Sequence, residues 1–122
     1  MGRFVITKSK SEEYTFELIA LNWESIISGP YFPTLESCEN GIDSVRRHCN
    51  AEVEDTTVDG SHTIRCPKYE IYKNRDSQFC FRLKATNGQI IAVSQAYTSK
   101  ASCCKGIESV AANAPNAETR LK

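Results

Sequence analysis

Gln78-Phe79-Cys80-Phe81-Arg82-Leu83-Lys84-Ala85-Thr86-Asn87-Gly88-Gln89-Ile90-Ile91-Ala92-Val93 reads as two strands and the turn between them. Phe79, Phe81, Leu83 and Ala85 fall on one face, and Gln78, Cys80, Arg82 and Lys84 on the other. That alternation marks a half-buried strand with a polar outer side. Asn87-Gly88 predicts a hairpin, because both residues tolerate positive φ, and Ile90–Val93 is the returning strand. Upstream, Tyr69–Lys73 alternates as well and is separated from Gln78 by the turn cluster Asn74-Arg75-Asp76-Ser77. Downstream, Thr98–Cys103 starts a helix with a Thr or Ser N-cap. Gly106 is expected to stop or kink it, and Ile107–Asn113 forms a second helical stretch before Pro115. The unit is β-β-β-α, with the helix expected in two pieces.

The same unit stands earlier in the chain at an offset of 65. Ile6, Lys8, Phe16, Leu18, Ala20 and Asn22 match Ile71, Lys73, Phe81, Leu83, Ala85 and Asn87. Ser37-Cys38 and Gly41-Ile42-x-Ser44-Val45 match Ser102-Cys103 and Gly106-Ile107-x-Ser109-Val110. An offset of 66 aligns Ser28-x-x-Tyr31 with Ser94-x-x-Tyr97, and Asn50-Ala51-Glu52 with Asn116-Ala117-Glu118. Repetition at a fixed period is a statement about architecture. The 122 residues are expected to form one domain, with repeat one over 3–55, a linker over 56–67 and repeat two over 68–122. A unit of roughly 50 residues is marginal as a separate core, so the two copies are expected to share one. In copy one Trp23 replaces Gly88, which argues against a type I′ turn there.

Composition is that of a soluble globular chain, 40% hydrophobic and 25% charged. No apolar run of bilayer length and no export signal is legible, which points to the cytoplasm, with the six cysteines as thiols. Net charge is zero, but residues 1–60 hold 5 Lys and Arg against 11 Asp and Glu, and residues 61–122 hold 10 against 4. A strong dipole between the halves is the expectation. The acidic residues 50–68 are expected to be the mobile part, with Val53 and Val58 allowing a short strand.

The combination Phe79-x-Phe81-Arg82-Leu83-Lys84-Ala85-x-Asn87-Gly88-Gln89-x-Ile91-Ala92, Ser94-x-x-Tyr97 and Gly106-Ile107-x-Ser109-Val110 resembles the YegP-like family of uncharacterised bacterial proteins. The resemblance spans nearly the whole chain. It implies an α+β fold in which two tandem β3-α(2) repeats, related by pseudo-twofold symmetry, pool their strands into one antiparallel sheet. The helices exchange across that sheet and pack on one face. The resemblance brings no activity, substrate or catalytic residues.

Three surfaces remain as candidates. Thr15, Ile19, Leu21 and Trp23 form an apolar strip on the outer face of copy one, suited to a protein partner. A non-enzymatic interaction module using Ile19, Leu21 and Trp23 is the leading expectation. Lys73, Arg75, Arg82 and Lys84, with Tyr72 as a stacking platform, could instead hold single-stranded nucleic acid or another anion. Acids on the related surface of copy one, Glu17 among them, oppose that use. Cys38 and Cys103, equivalent positions before the Gly-Ile pair, are candidate reactive thiols for a redox or enzymatic role, against a plain packing role.

His48, Cys49, His62 and Cys66 have zinc-type chemistry but no recognised spacing. His48 faces Asn113 across the repeat, so no duplicated triad is present, and no phosphate-binding loop is legible. No catalytic residue, metal or cofactor is expected. A monomer is expected, because the two copies can complete one sheet, and the apolar strip leaves a dimer open.

Overall fold

A computed structural model describes residues 2–60 and 63–122. Its elements are β1 (Arg3–Lys8), β2 (Tyr14–Ile19), β3 (Ser25–Ser28), α1 (Leu35–His48), β4 (Glu52–Asp55), β5 (Lys68–Lys73), β6 (Phe79–Lys84), β7 (Ile90–Ser94), α2 (Lys100–Asn113) and β8 (Glu118–Leu121). Alternation explains the strands. Phe4, Ile6, Phe16, Leu18, Tyr69, Ile71, Phe81 and Leu83 all turn inward and are fully buried. The helices cover that inner face with Cys38, Ile42 and Val45 from α1 and Cys103, Ile107 and Val110 from α2.

The eight strands form one sheet in the order β4-β5-β6-β7-β3-β2-β1-β8. The two three-stranded meanders meet where β3 and β7 pair antiparallel, Ile27 opposite Ser94 and Ser28 opposite Val93. The fold is therefore α+β, as expected, with two additions at the margins. After α1 the chain crosses to the other repeat, and β4 pairs in parallel with β5. After α2 it crosses back, and β8 pairs in parallel with β1. The sheet is mixed, antiparallel throughout its centre and parallel in its outermost pair at each end. The helices cross too: α1 touches β2 and β7, and α2 touches β6 and β3.

Other expectations change as well. Each helix is continuous for 14 residues and passes straight through its glycine. A Cβ on Gly41 would stand 2.5 Å from the Phe32 ring, and one on Gly106 would stand 2.9 Å from Phe81, with Tyr97 closer still. The glycines admit aromatic rings against the helix rather than ending it. The N-caps are Thr34 and Ser99, whose side chains accept from the Ser37 and Ser102 backbone N–H groups.

The offset also stays at 65 through the loops. Phe32 stacks on Phe16 at 6.2 Å, and Tyr97 stacks on Phe81 at 6.4 Å. Tyr97 is thus the counterpart of Phe32, and the Ser28/Ser94 and Tyr31/Tyr97 matches are coincidental; Tyr31 is exposed. Sheet register and ring stacking hold the spacing. It changes to 66 only after the helices, where the Ala114–Asn116 3-10 turn precedes β8.

The hairpins follow one plan. Ala85 N–H donates to the Gln89 carbonyl and Gly88 N–H to the Ala85 carbonyl, with φ of 84° at Gly88 alone. Copy one repeats this with Ala20, Glu24 and Trp23, and Trp23 takes φ of 67°. This is a type I turn followed by a left-handed residue, not a type I′ turn. Trp23 therefore holds a conformation that costs an ordinary L-residue roughly 1–2 kcal/mol.

Strand exchange also rearranges the charge. Acidic β4 of copy one lies in the basic half, where Lys68 Nζ is 2.7 Å from Glu54 and Lys100 Nζ is 2.6 Å from Asp55. From α1 of copy one, Arg46 donates to the Ala117 carbonyl at 2.7 Å and to Thr119 Oγ1 at 3.0 Å. The imbalance legible along the chain is in part consumed by pairs that join the copies, which reduces the expected dipole. Within the linker, Ile64 N–H is fixed on Glu54 at 2.7 Å. Met1, Ser61 and His62 lie outside the described residues.

Candidate functional site

On the outer face of β4, β5 and β6, register places Glu54 beside Glu70 and Glu70 beside Arg82. The result is a network. Glu70 takes Arg82 Nε at 2.7 Å, Lys84 Nζ at 3.1 Å and Lys68 Nζ at 3.2 Å. Burial alone would raise the Glu70 carboxyl, but the hydrogen bonds from Arg82, Lys84 and Lys68 outweigh it and hold it down at about 2. Arg82 also covers the Tyr72 ring at 4.5 Å. The positive charge of Arg82 and Lys84 is thus shared with a buried carboxylate, and the Tyr72 face is partly occupied. Lys73 remains exposed, 5.3 Å from the Phe79 ring.

Cys38 and Cys103 are fully buried under the helices. Burial, with Glu39 adding to it, pushes the Cys38 thiol up to about 11. Burial, then Cys104, pushes Cys103 up to about 12. Both are thiols, not thiolates, at neutral pH. Among the described residues no group of three His, Cys, Asp or Glu side chains forms a metal site. His48 instead bonds to the Ser44 carbonyl at 2.8 Å and to Thr86 at 3.3 Å.

Two clefts are related by the repeat. One, of about 170 Å³, lies between the β2–β3 hairpin and α2; the other, of about 700 Å³, lies between the β6–β7 hairpin and α1. Asn22 and Asn87, Ser102 and Ser37, and Gly106 and Gly41 occupy equivalent places in their walls. Each identity has a folding role. Asn87 Oδ1 accepts from Gln89 N–H at 3.0 Å and Asn22 Oδ1 from Glu24 N–H at 3.2 Å. Ser37 and Ser102 offer the backbone N–H groups that the Thr34 and Ser99 caps accept from, and the glycines admit rings.

The apolar strip of copy one has a different character. Trp23 is 70% exposed and Leu21 71%, whereas Ile19 is half-buried in β2. Trp23 and Ile19 line a groove of about 390 Å³ with Arg3, Val5, Arg120 and Leu121. The Arg3 guanidinium stands 4.4 Å above the Trp23 ring. Arg120 and Lys122 give the groove a cationic rim, and Glu17 at its floor is engaged by Ser25 Oγ at 2.7 Å. Leu21 points the strip beyond the groove and is not part of its lining.

A family model described as a domain of unknown function, DUF1508, matches residues 9–55 and again 74–120. The chain belongs to this family. Each match thus spans the second and third strands of one meander, its helix and the strand it lends to the other half. The solution structure of yegP from Escherichia coli superposes with a TM-score of 0.82 at 32% identity, covering 99% of this chain and 92% of that one. A UPF0339 protein encoded in the ptx operon 5′ region of Stutzerimonas stutzeri is 33% identical over 117 residues, 96% of this chain and 93% of that protein. A UPF0339 protein of Treponema denticola is 62% identical over 50 residues, 41% of this chain but 86% of that protein, so its length is that of about one DUF1508 repeat.

Sequence reading found Ile19 and Trp23 but missed Val5, Arg3, Arg120 and Leu121. Arg3 and Val5 lie on the outer face of β1, where a single apolar residue between Arg3 and Thr7 makes no stripe. The last two reach the groove only because β8 returns to β1, a pairing with no local signal in Glu118-Thr119-Arg120-Leu121. No helix among the described residues is long and apolar enough to cross a membrane.

Proposed function

We propose that this chain is a non-enzymatic interaction module of the cytoplasm that takes a protein partner in the groove between Trp23 and β8. The observation that carries the reading is Trp23 itself. An indole that is 70% exposed and held at φ 67° contributes little burial and costs backbone strain. Strain retained at an exposed aromatic residue is characteristic of a binding position. Val5, Ile19 and Leu121 give the groove apolar surface beside a cationic rim, and its one floor carboxylate, Glu17, is engaged by Ser25, which suits a partner segment with an apolar anchor flanked by carboxylates. Nucleic acid on the Arg82/Lys84 face is the weaker reading, because Glu70 already takes both cations.

The test uses the chain's one tryptophan. Partners retained by the wild-type chain are compared with those retained by Trp23→Gly, a change the turn tolerates. Each purified partner is then titrated while Trp23 emission is followed. A stoichiometric partner that shifts the emission to the blue and is lost with Trp23→Gly is the expected result. Retention indifferent to Trp23→Gly and to Ile19→Asp would refute the assignment.

A further inference from the structure

We propose that β8 is a self-association edge, through which two copies of this chain join their sheets antiparallel about Thr119. β4 and β8 are the two outermost strands of the sheet, and neither pairs with a further strand among the described residues. Lys122 N–H donates to the Ile6 carbonyl at 2.9 Å, and Ile6 lies opposite Leu121 in the parallel register. Backbone groups alternate sides along a strand, so Glu118, Arg120 and Lys122 present theirs to β1. The N–H and C=O groups of Thr119 and Leu121 face away from the sheet. All four β8 residues are exposed, and none is a proline that would block pairing.

The two edges are repeat-equivalent but not alike. Glu52-Val53-Glu54-Asp55 of β4 corresponds to Glu118-Thr119-Arg120-Leu121 of β8. Pairing β4 with its own copy about Val53 sets Glu52 opposite Glu54 of the second copy, twice. Pairing β8 about Thr119 sets Glu118 opposite Arg120 of the second copy, twice. Directly opposed unlike charges favour an antiparallel pair and like charges oppose it. One edge has diverged into a self-repelling strand and the other into a self-complementary one.

The backbone agrees with that register. The two Thr119 residues exchange both N–H···O bonds, and Glu118 and Arg120 fall at the flanking positions, where opposed side chains come closest. The dimer exchanges the two exposed Arg120–Glu118 contacts of 3.0 Å, one within each chain, for two between chains. Leu121, 67% exposed, comes opposite Ala117 of the second copy. The contact is isologous and closes at two copies, whereas β4 against β8 would match Glu52 with Arg120 but set Glu54 opposite Glu118, and would propagate as an open chain. An edge this short buries less than the roughly 1,200 Å² of a standard interface, so association is reversible and concentration-dependent. The dyad leaves both Trp23 grooves on one face of the joined sheet, and the proposal does not depend on what they bind.

Sedimentation equilibrium under reducing conditions, which keep the exposed Cys104 from cross-linking, tests it with three variants. The wild-type chain is expected to populate a dimer that grows with concentration. Arg120→Glu creates two like-charge pairs and weakens it by roughly tenfold or more. Glu118→Arg combined with Arg120→Glu restores the dimer, as only an isologous pairing of these two residues allows, and Trp23→Gly associates like the wild type. A chain still monomeric at about 1 mM, where even about 4 kcal/mol of binding would show, overturns the proposal. So does a dimer indifferent to Arg120→Glu, or one that the double exchange fails to restore.

Discussion

Lys68 Nζ lies 2.7 Å from Glu54 Oε1, a contact that ties the last strand of the first repeat to the first strand of the second. Both side chains are at least nine-tenths buried, and Lys68 also reaches Glu70 at 3.2 Å. The cation therefore holds two carboxylates that face each other across β4 and β5. Lys68→Met leaves those carboxylates facing each other, and a buried charge deprived of its partner costs about 3 kcal/mol. Urea unfolding is expected to show that loss, with Glu54→Gln/Lys68→Met recovering part of it. A loss below about 1 kcal/mol would mean that the pair is solvated.

Acid should expose the same network. Glu70 titrates at about 2 when folded and near its ordinary 4.5 when unfolded. Its contribution is fully present above about pH 4.5 and drains away as pH falls toward 2, a change on the order of 3 kcal/mol. Unfolding free energies measured from neutral to acid pH should fall steeply through that window. Glu70→Gln, already weakened at neutral pH, should show a shallower fall; equal slopes would remove Glu70 from the account.

Gly41→Ala and Gly106→Ala test why the helices run unbroken through glycine. In an open helix the change would stabilise by up to about 1 kcal/mol. Here the new methyl meets Phe32 or Tyr97 and Phe81, so a loss of about 1–3 kcal/mol is expected in thermal unfolding. A rise in Tm in either variant would show that the rings move aside.

Native thiol labelling should separate the cysteines by burial. Cys104 is exposed and Cys66 half-buried, whereas Cys38, Cys49, Cys80 and Cys103 are buried. Two thiols are expected to react promptly, Cys104 first, and the other four only through unfolding. Prompt labelling at Cys38 or Cys103 would revive a reactive-thiol role.

Trp23 and Gly88 occupy the same left-handed turn position in the two copies. Gly88→Ala is expected to cost about 1 kcal/mol. Trp23→Gly relieves strain of that order but loses the Arg3 contact, worth about 0.5–1 kcal/mol at an exposed site, and adds freedom to the unfolded chain. Its stability should therefore stay within about 1 kcal/mol of the wild type in urea unfolding. A much larger loss would make Trp23 a structural residue and weaken its assignment to binding.

The candidate groove was half legible. Ile19 and Trp23 stood out because apolar residues on an outward face break the expected alternation. Arg120 and Leu121 did not, because a four-residue strand with two charges has no periodicity of its own. Arg82 and Lys84 share the outer face of β6, but both are held by Glu70, and Glu54, which joins that network through Lys68, comes from a segment that read as acidic linker.

By itself the sequence determined the repeat, the three-stranded meanders, the position of each helix and the shared core. Those follow from period, turn residues and caps, which act within a few residues of one another. Only the tertiary structure decided that each repeat lends its last strand to the other, that the helices pass through their glycines, and that Trp23 sits strained above a groove. Such outcomes depend on which distant segments bury the most surface in register and which charges then meet. No local pattern encodes that sum, because its terms come from separate elements, β5 for β4 and, from the other end of the chain, β1 for β8.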